Sequence, residues 1–432
     1  MTPAGRLAAA IEILADIASR RRPAADALRD WGLGHRFAGS GDRAAIAGLV
    51  YDTLRRRASA AFVMGEESAR ALALGMLRIE RGLDPAAIAA LADGSRHAPP
   101  PLTDAEGAAL ARASLEGAPL AVIGDYPDWL DPHFARVFGA ERGDELQALA
   151  ARAPLDLRAN RLKGDRDAAL DMLAHLGPRP TRWSPDGLRI PLAPASKSPA
   201  IHAEPAFLKG LVEVQDEGSQ LAALFAGARP GQLVIDLCAG AGGKTLALAA
   251  AMAGQGRLYA SDDDKRRLAP IHARIERAGA RKIEVRTPRG EADILADLAG
   301  AADLLLIDSP CTGTGVWRRN PDAKWRMRPG ALEVRQREQS EVLDRAVPLV
   351  KAGGHIAYVT CSVLEEENGA QIRAFLGRHL EFAVVAPDEV MRPLGADAAQ
   401  FRSAALLTAE GLLMTPRRTG TDGFFVALLA RR

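Results

Sequence analysis

The chain is poor in cysteine. Only three of its 432 residues are cysteines, namely Cys238, Cys311 and Cys361. An odd and sparse set argues against a fold held together by disulfides. No CxxC or HxxxH pairing accompanies the three, which argues against a structural zinc site. We therefore predict a protein without a disulfide framework and without a bound metal.

Long apolar runs are also missing. The longest, 246–253, is far shorter than the roughly 20 residues that a membrane-spanning helix needs. Near the N-terminus, Leu7 and Leu14 recur at helical spacing, but Glu12 and Asp16 interrupt the apolar character. That pattern predicts an amphipathic helix and not a signal peptide. We expect a cytoplasmic protein that does not enter a membrane.

Net charge is small as well. The formal value is +2, so any site for a polyanion must be a local patch. Arginine outnumbers lysine by 48 to 8, which suits recognition of phosphates through the guanidinium group. A GC-rich genome explains the same bias equally well. Composition alone therefore does not identify a nucleic-acid partner.

Residues 1–145 are rich in alanine and leucine at helical spacing. Asp42 precedes one such stretch and is predicted to cap a helix. After a break at 97–101, Thr103 and Glu106 have the spacing of a capping box. These signals predict an all-α domain over residues 1–145.

Residues 146–205 have a different character. The stretches 155–160 and 187–191 have the pattern of short strands, and 165–176 has helical spacing. We predict a small α+β linker module in this region.

From residue 206 onward, strands and helices alternate. Predicted strands are 233–237, 258–261, 282–285, 304–307, 355–359 and 424–429, and predicted helices are 245–252, 265–278 and 331–350. Such alternation is typical of an α/β fold with a parallel, doubly wound sheet.

A glycine cluster follows the first of these strands, where residues 236–245 read DLCAGAGGKT. A strand that ends in Asp236 and continues into glycines lets the backbone approach a nucleotide-like ligand closely. The motif is not a Walker A loop, because Cys238 stands where the first glycine would be. It is not GxGxxG either, because Thr245 replaces the third glycine. A structural turn explains such clustering equally well.

The next predicted strand leads into Asp262. An acidic side chain at this place can accept hydrogen bonds from both ribose hydroxyls of a bound nucleotide. The neighbouring Asp263 and Asp264 are better explained as a solvated helix cap. Asp262 is therefore the candidate for a ribose contact.

Two cysteines follow neighbouring predicted strands. Cys311 belongs to DSPCTGTG at 308–315, and Cys361 belongs to TCS at 360–362. Ligands bind at the carboxyl ends of strands in such sheets. A lone buried cysteine is usually inert packing, but two at adjacent strand ends favour reactive thiols.

A thiol at this place suits methyl transfer to a pyrimidine. Carbon 5 of cytosine is too weak a nucleophile to attack a sulfonium methyl group. Addition of a thiolate to carbon 6 builds electron density at carbon 5, and a carboxyl group at ring nitrogen 3 stabilises the adduct. A further base must then remove the proton from carbon 5 so that the thiol can leave.

The motifs DLCAGAGGKT, DSPCTGTG, RRNPDAKW, TCSVLEEEN and TDGFF resemble those of the RNA 5-methylcytosine methyltransferases of the Nop/Sun (Fmu) family, over about residues 206–432. The helical half, with PDWL at 127–130, is similar to the bacterial ribosomal-RNA branch with its NusB-like N-terminal domain. The resemblance implies a class I S-adenosylmethionine methyltransferase (Rossmann-like) domain at 206–432, a helical RNA-binding domain at 1–145 and the linker module at 146–205. It implies S-adenosyl-L-methionine as cofactor and a cytosine in RNA, expected in small-subunit ribosomal RNA, as substrate.

The resemblance also implies roles for single residues. Cys361 would attack carbon 6, Cys311 would assist release, Asp308 would contact the base edge and Lys244 would help to organise the site. Cofactor contacts are implied for Cys238, Ala239, Gly240, Ala241, Gly242, Gly243, Lys244, Asp262 and Asp308. In DNA cytosine methyltransferases the Pro-Cys cysteine is itself the nucleophile, so a Thr-Cys beside a Pro-Cys favours RNA.

Cations alternate with aromatic residues in the segment 317–328. This pattern suits a groove for single-stranded nucleic acid, although an exposed charged loop is a plainer explanation. The position directly after Cys311 favours the groove. The predicted RNA contacts are Arg318, Arg319, Lys324 and Trp325, and the target base is expected in a loop or as a flipped nucleotide.

Two departures from the family pattern keep other hypotheses open. Gly240 and Ala241 stand where the family usually has Ala-Pro, and after the third strand no acid occurs before Glu291. The alternative is a catalytically silent, RNA-binding ribosome-assembly factor that retains the fold. A nicotinamide-dependent dehydrogenase is a third hypothesis, weakened by the absent third glycine and the unexplained cysteines. The sequence does not specify the target cytosine or the oligomeric state.

Overall fold

A computed structural model describes residues 1–192, 198–290 and 292–432, so Glu291 lies outside the described residues. Within that part of the chain, residues 1–152 and 317–329 form one compact unit, and residues 153–192, 198–316 and 330–432 form a second. Every described helix is too short or too polar to cross a membrane. The division into three domains at residues 145 and 205 stays a prediction.

The first unit is built from helices because its apolar residues recur on one face of each segment. Its core includes Leu7, Ile13, Val50, Leu74 and Ile88, all almost inaccessible to solvent. The α-helices are Pro3–Arg20, Ala24–Gly34, Ser40–Arg55, Arg57–Met64, Ala69–Ile79, Pro85–Leu91, Asp104–Ala111, Leu120–Ile123, Asp131–Phe138, Arg142–Ala150 and Ala323–Arg326.

Two predicted helix starts in this unit have different outcomes. The capping box is confirmed, because the Thr103 side chain accepts the Glu106 N–H and the Glu106 carboxylate accepts the Thr103 N–H. The prediction that Asp42 is an N-cap is wrong, because the helix Ser40–Arg55 begins after Gly39. Asp42 lies in the first turn, where its carboxylate accepts a hydrogen bond from Arg6 Nε at 2.9 Å.

A small antiparallel sheet begins the second unit. Its strands are β1 (Leu155–Ala159), β2 (Arg179–Pro180), β3 (Gly187–Ile190) and β4 (Val212–Val214), in the order β2-β3-β1-β4. The helix predicted over 165–176 is shorter, Arg166–Met172, and a 3₁₀ turn follows it. Strand β4 comes from beyond residue 205, where the sequence predicts that the next domain begins.

The large sheet of this unit contains nine strands among the described residues. They are β5 (Leu233–Asp236), β6 (Arg257–Ser261), β7 (Ile283–Arg286), β8 (Ala302–Asp308), β9 (Val350–Thr360), β10 (Phe382–Val384), β11 (Leu406–Leu407), β12 (Leu412–Met414) and β13 (Phe424–Arg431). The order is β11-β12-β13-β9-β8-β5-β6-β7, and β10 pairs with β13. Strands β5 to β9 are parallel and β13 runs antiparallel to β9.

The α-helices of the second unit, besides Arg166–Met172, are Pro205–Leu208, Glu217–Ala226, Gly243–Ala251, Lys265–Leu268, Ile271–Ala278, Ala331–Ala346, Gly369–Arg378, Pro387–Val390, Ala398–Ala404 and Pro416–Thr419. The helix predicted over 265–278 is divided in two at Pro270, which lacks the N–H that a continuous helix requires. The helix predicted over 331–350 ends at Ala346, and Val350 already belongs to β9.

The central strands are buried on both faces, as parallel strands covered by helices must be. Val234, Ile235, Leu305, Leu306 and Ile356 are each completely buried. The predicted α/β fold with a doubly wound sheet is confirmed. The strand order reverses between β5 and β8, and the carboxyl ends of β5, β6, β8 and β9 therefore border the crevice in which such sheets bind ligands.

Candidate active site

Two glycines of the turn after β5 differ in their surroundings, because one is tightly packed and the other borders open space. Gly240 and Gly242 both have positive φ, at 50° and 84°. A Cβ at Gly242 would lie only 2.5 Å from Ile271 Cγ1, so this glycine is needed for packing. A Cβ at Gly240 would have no neighbour closer than 3.8 Å, so its missing side chain leaves room for a ligand beside the turn.

The Asp262 carboxylate is held against this turn. Its Oδ2 accepts the Gly240 N–H at 3.0 Å and its Oδ1 accepts the Asp264 N–H at 2.9 Å. Only 4% of the residue is exposed. A fixed carboxylate beside open space at the tip of β6 fits the ribose of a nucleoside cofactor.

Asp236, at the end of β5, is completely buried. Its Oδ2 accepts the Thr245 hydroxyl at 2.6 Å, whereas its Oδ1 has no hydrogen-bond partner within the described residues. Burial, with the nearby Asp308 and Asp262 carboxylates, raises the pKa of Asp236 to about 7. Burial also raises the pKa of the Cys238 thiol, so that thiol stays protonated near neutral pH.

Lys244 and Asp308 form an ion pair across the crevice. The distance between Lys244 Nζ and Asp308 Oδ2 is 2.7 Å. Lys244 is 7% exposed and its ammonium lies 5.0 Å from the centre of the Phe424 ring. About a third of the Asp308 side chain is exposed. The buried lysine therefore orients a carboxylate that still faces the crevice.

The two cysteines of the strand ends are in contact. Cys311 Sγ lies 3.3 Å from Cys361 Sγ, and both residues are half-buried. The hydrogen bond with Cys361, together with burial, raises the pKa of the Cys311 thiol. Either thiol can donate in this contact, so the two sulfurs can pass a hydrogen bond in both directions.

A buried carboxylate that sequence reasoning missed holds the Cys311 loop. Glu367 Oε1 accepts the Thr312 N–H at 2.8 Å, and the Thr312 hydroxyl donates to Oε2. Gln339 Nε2 donates to Glu367 at 3.0 Å and to the Pro310 carbonyl at 2.9 Å. Burial raises the pKa of Glu367. The only signal in the sequence is its place in the acidic run that follows Cys361.

Asn368 fixes the loop that contains Cys361. Its Oδ1 accepts the Thr360 hydroxyl at 2.6 Å, and its Nδ2 donates to the Ser362 carbonyl at 2.9 Å. The hydroxyl of the residue before the cysteine and the backbone carbonyl of the residue after it are thus both bonded to one side-chain amide. In the part of the chain that the structure describes, His, Cys, Asp and Glu side chains form no cluster of three that could hold a metal ion.

The predicted RNA contacts lie in the first unit, whereas the residues above all lie in the second. Lys324 is 1% exposed and its Nζ donates to the Arg55 carbonyl at 3.0 Å. Arg318 is 5% exposed. Direct contact of these two with RNA is disfavoured, because a phosphate cannot reach a buried cation. Contacts by the half-buried Arg319 and Trp325 stay predictions.

Comparison with known proteins identifies the family. The sequence model described as "16S rRNA methyltransferase RsmB/F" matches residues 223–430, and "Methyltr_RsmF/B-like, ferredoxin-like domain" matches residues 126–195. The ribosomal RNA small subunit methyltransferase B of Citrobacter koseri is 34% identical over 312 residues, which are 71% of this chain and 67% of that protein. The chain belongs to the RsmB/F family of 16S rRNA methyltransferases. The resemblance to the Nop/Sun family and the predicted cofactor, S-adenosyl-L-methionine, are thereby confirmed.

Solved structures agree with the fold of this RsmB/F family member. The crystal structure of PH0851 has a TM-score of 0.69 and 24% identity, and the match covers 99% of both chains. NSun6 from Pyrococcus horikoshii with SFG has a TM-score of 0.60 and 20% identity, covering 72% of this chain and 99% of that one. The Rossmann-like arrangement is therefore shared with both proteins.

Proposed function

We propose that this RsmB/F family member transfers a methyl group from S-adenosyl-L-methionine to carbon 5 of a cytosine in small-subunit ribosomal RNA. Activity on ribosomal RNA, in the cytoplasm, is part of this proposal. The assignment of residues 1–145 as a NusB-like RNA-binding domain, with the linker module at 146–205 and the methyltransferase domain at 206–432, is part of it too.

The observation that supports this chemistry best is the contact between two thiols at the ends of β8 and β9. The Sγ atoms of Cys311 and Cys361 are 3.3 Å apart. Attack on the ring needs only one cysteine. Formation and later breakdown of a covalent adduct use two groups beside the same ring, one that attacks and one that assists release. The raised pKa of the Cys311 thiol suits it to the role of proton donor, and we assign the role of nucleophile to Cys361.

The proposed reaction begins when Cys361, as a thiolate, forms a bond from Sγ to carbon 6 of the cytosine. The electron pair of the C5–C6 double bond moves toward ring nitrogen 3, which takes up a proton, and the Asp308 carboxylate, held by Lys244, accepts a hydrogen bond from the new N–H. S-adenosyl-L-methionine would supply an electrophilic methyl group to carbon 5 and would leave as S-adenosylhomocysteine. A base takes the proton from carbon 5, the bond between sulfur and carbon 6 breaks, and the Cys311 S–H stabilises the departing thiolate.

The cofactor-binding residues of the proposal border the same crevice. The segment from Cys238 to Lys244 forms the glycine turn, and Asp262 is hydrogen-bonded to it at Gly240. We assign the ribose to Asp262 and the close backbone approach to the turn around Gly240. Asp308 is paired with Lys244 at the end of this turn, and we assign it contacts with both ligands.

The test is methyl transfer by the purified full-length chain to an unmodified small-subunit rRNA transcript, with labelled S-adenosyl-L-methionine. Nucleoside digestion and mass spectrometry should detect 5-methylcytidine, and bisulfite sequencing should locate a single protected cytosine. Cys361→Ala should give no product while it keeps the melting temperature of the wild type. Full activity of Cys361→Ala would exclude the covalent mechanism.

The catalytically silent assembly factor remains the second candidate, favoured by Gly240-Ala241 in place of Ala-Pro. Calorimetry separates the two functions, because a degenerate pocket should release no heat with S-adenosyl-L-methionine. Cofactor binding together with 5-methylcytidine formation would exclude the silent factor. If the chain neither binds the cofactor nor forms 5-methylcytidine, the enzyme function is excluded.

A further inference from the structure

The segment 317–329 is anchored to the helices of the first unit by buried polar contacts. Lys324 Nζ donates to the Arg55 carbonyl at 3.0 Å, and Trp325 Nε1 donates to the Leu54 carbonyl at 2.6 Å. Asp322 Oδ2 accepts the Ala24 N–H at 3.2 Å. These bonds fix the face of the segment that packs against the helices, and the opposite face therefore forms a rigid wall.

A cleft of about 500 Å³ lies along that wall. Its charged lining residues are Arg21, Arg57, Arg326, Arg328, Glu67 and Asp322. Glu67 is paired with Arg57 at 3.1 Å, and Asp322 with Arg326 at 3.0 Å. Arg21 and Arg328 are exposed and have no acidic partner among the described residues. The cleft therefore has two cations in excess.

A second cleft of about 340 Å³ adjoins the first and shares Arg57 and Trp325 with it. The Arg57 guanidinium lies 5.2 Å from the centre of the Trp325 indole, so this stacked pair stands between the two spaces. Trp129, from the PDWL motif, lines the second cleft and is half-buried. Two tryptophans from separate motifs thus line the two adjoining clefts, which together we call the groove.

We propose that this groove binds a single-stranded segment of ribosomal RNA. The larger cleft takes phosphates at Arg21 and Arg328, and the smaller cleft takes a base against Trp129. Unpaired cations beside aromatic faces are the combination with which proteins hold single strands. The identity of the RNA rests on the proposed function, but binding in the groove does not require methyl transfer.

An acidic peptide is a poorer occupant than RNA. The smaller cleft is lined by Asp128 and Glu67 as well as Arg57. Because Glu67 is paired with Arg57, Asp128 leaves this cleft with a negative charge, which repels acidic side chains. Its carboxylate can still accept a hydrogen bond from the amino group of a base. The aromatic face of Trp129 offers a base a stacking surface that a carboxylate side chain cannot use.

The first test measures binding of the full-length chain, without cofactor, to an unmodified small-subunit rRNA transcript and to a 12-nucleotide single strand. Arg21→Gln with Arg328→Gln should weaken binding about tenfold or more. The slope of the logarithm of the binding constant against the logarithm of salt concentration, called the salt slope below, should fall in magnitude by about 1.4, since each of the two lost phosphate contacts contributes about 0.7. The matched control is Arg96→Gln with Arg112→Gln. Both are exposed cations of the same unit and lie outside the two clefts.

The second test separates stacking from charge. Trp129→Leu should weaken binding roughly fivefold to a hundredfold with an unchanged salt slope, because a stacked base is lost without loss of a phosphate contact. Trp129→Phe should restore most of the affinity. Melting temperatures equal to that of the wild type would show that the variants are folded, and ultraviolet cross-links should map to residues 119–130 and 317–329.

The proposal is overturned if the double arginine variant binds like its control with the same salt slope. It is also overturned if poly-glutamate, and not RNA, loses affinity in these variants. Failure of the proposed function has a different signature: no 5-methylcytidine from the wild-type chain, while the RNA-binding defects persist.

Discussion

Cys311 Sγ lies 3.3 Å from Cys361 Sγ, although the two residues are 50 positions apart in the chain. The pKa of the Cys311 thiol is raised, which keeps its proton available for a hydrogen bond to the departing sulfur of Cys361. Replacement of Cys311 should therefore impair departure of the nucleophile more than its attack. Cys311→Ala is expected to accumulate a covalent protein–RNA adduct, visible as a band that resists denaturation.

Two controls make this first prediction specific. The adduct should be absent from Cys361→Ala and from the double variant, because no bond to carbon 6 can form without Cys361. A Cys311→Ala protein that turns over at the wild-type rate with no trapped band would remove Cys311 from the release step.

The second prediction concerns the ion pair between Lys244 and Asp308. Lys244→Met keeps the length of the side chain but removes the charge that orients the carboxylate. Misplacement of a reacting group by about 1 Å can cost roughly 100-fold in rate, so we expect kcat/KM for methyl transfer to fall by about that factor. Lys265→Met, at an exposed position beyond Asp262, is the matched control and should be neutral. Equal rates for both variants would show that the pair has no part in the reaction.

The third prediction is a pH dependence of stability that originates at Asp236. The pKa of this buried carboxyl group is about 7, above its unfolded value of 3.8, so the folded state retains a proton that the unfolded state has lost. Its contribution to the free energy of unfolding is therefore full below pH 3.8, declines as pH rises toward 7 and is constant above that. At about 1.4 kcal/mol for each pKa unit, the decline is a few kcal/mol.

Asp236→Asn cannot titrate and should lack this decline. Denaturant unfolding between pH 4 and 8 measures it: the difference in stability between wild type and variant should move in favour of the variant as pH rises. Asp263→Asn, whose carboxylate is 78% exposed, should follow the wild type. A parallel pH profile for Asp236→Asn would show that Asp236 does not hold a proton in the folded state.

The fourth prediction concerns Glu367, which accepts both the N–H and the hydroxyl of Thr312 beside Cys311. Glu367→Ala leaves these donors without their acceptor and should loosen the loop. We expect a longer lifetime of the covalent adduct and an altered pH profile of its release, with partial rescue by Glu367→Gln. Glu365→Gln, which alters an exposed pair with Arg373, is the control. A lower melting temperature with unchanged release kinetics would mean that Glu367 is structural only.

The fifth prediction distinguishes a buried lysine from an RNA contact. Burial lowers the pKa of Lys324 to about 7, so the unfolded chain binds a proton between pH 7 and 10.5 that the folded chain does not. Stability should therefore rise with pH over that window, and Lys324→Met should abolish the rise. The dependence of RNA affinity on salt concentration at pH 8 should be unchanged, because no phosphate contact is lost, in contrast to Arg21→Gln with Arg328→Gln. A loss of affinity without a change of stability would restore Lys324 as an RNA contact.

Local pattern was enough to predict six of the nine strands of the large sheet, whereas the short strands β10, β11 and β12 were not predicted. Apolar runs that end at Asp236, Asp262 and Asp308 mark where three strands stop, because a polar side chain is tolerated at the end of a strand more readily than in its middle. The sequence predicted two cysteines at neighbouring strand ends for the same reason. Helix lengths were less well predicted where a proline intervened, as at Pro270.

Contacts between distant segments decided what the local pattern could not. Lys324 is a cation in a segment that alternates cations with aromatic residues, which is typical of a surface RNA contact. Its ammonium nevertheless donates to a carbonyl 269 residues earlier in the chain. Glu367 and Thr312 are 55 residues apart, and only packing brings the carboxylate to the Cys311 loop. The sequence alone thus determined the positions of the long strands to within a few residues, since periodicity is a local property. Burial, which sets the pKa of Asp236 and removes Lys324 from the surface, depends on all neighbouring segments and was decided by the tertiary structure.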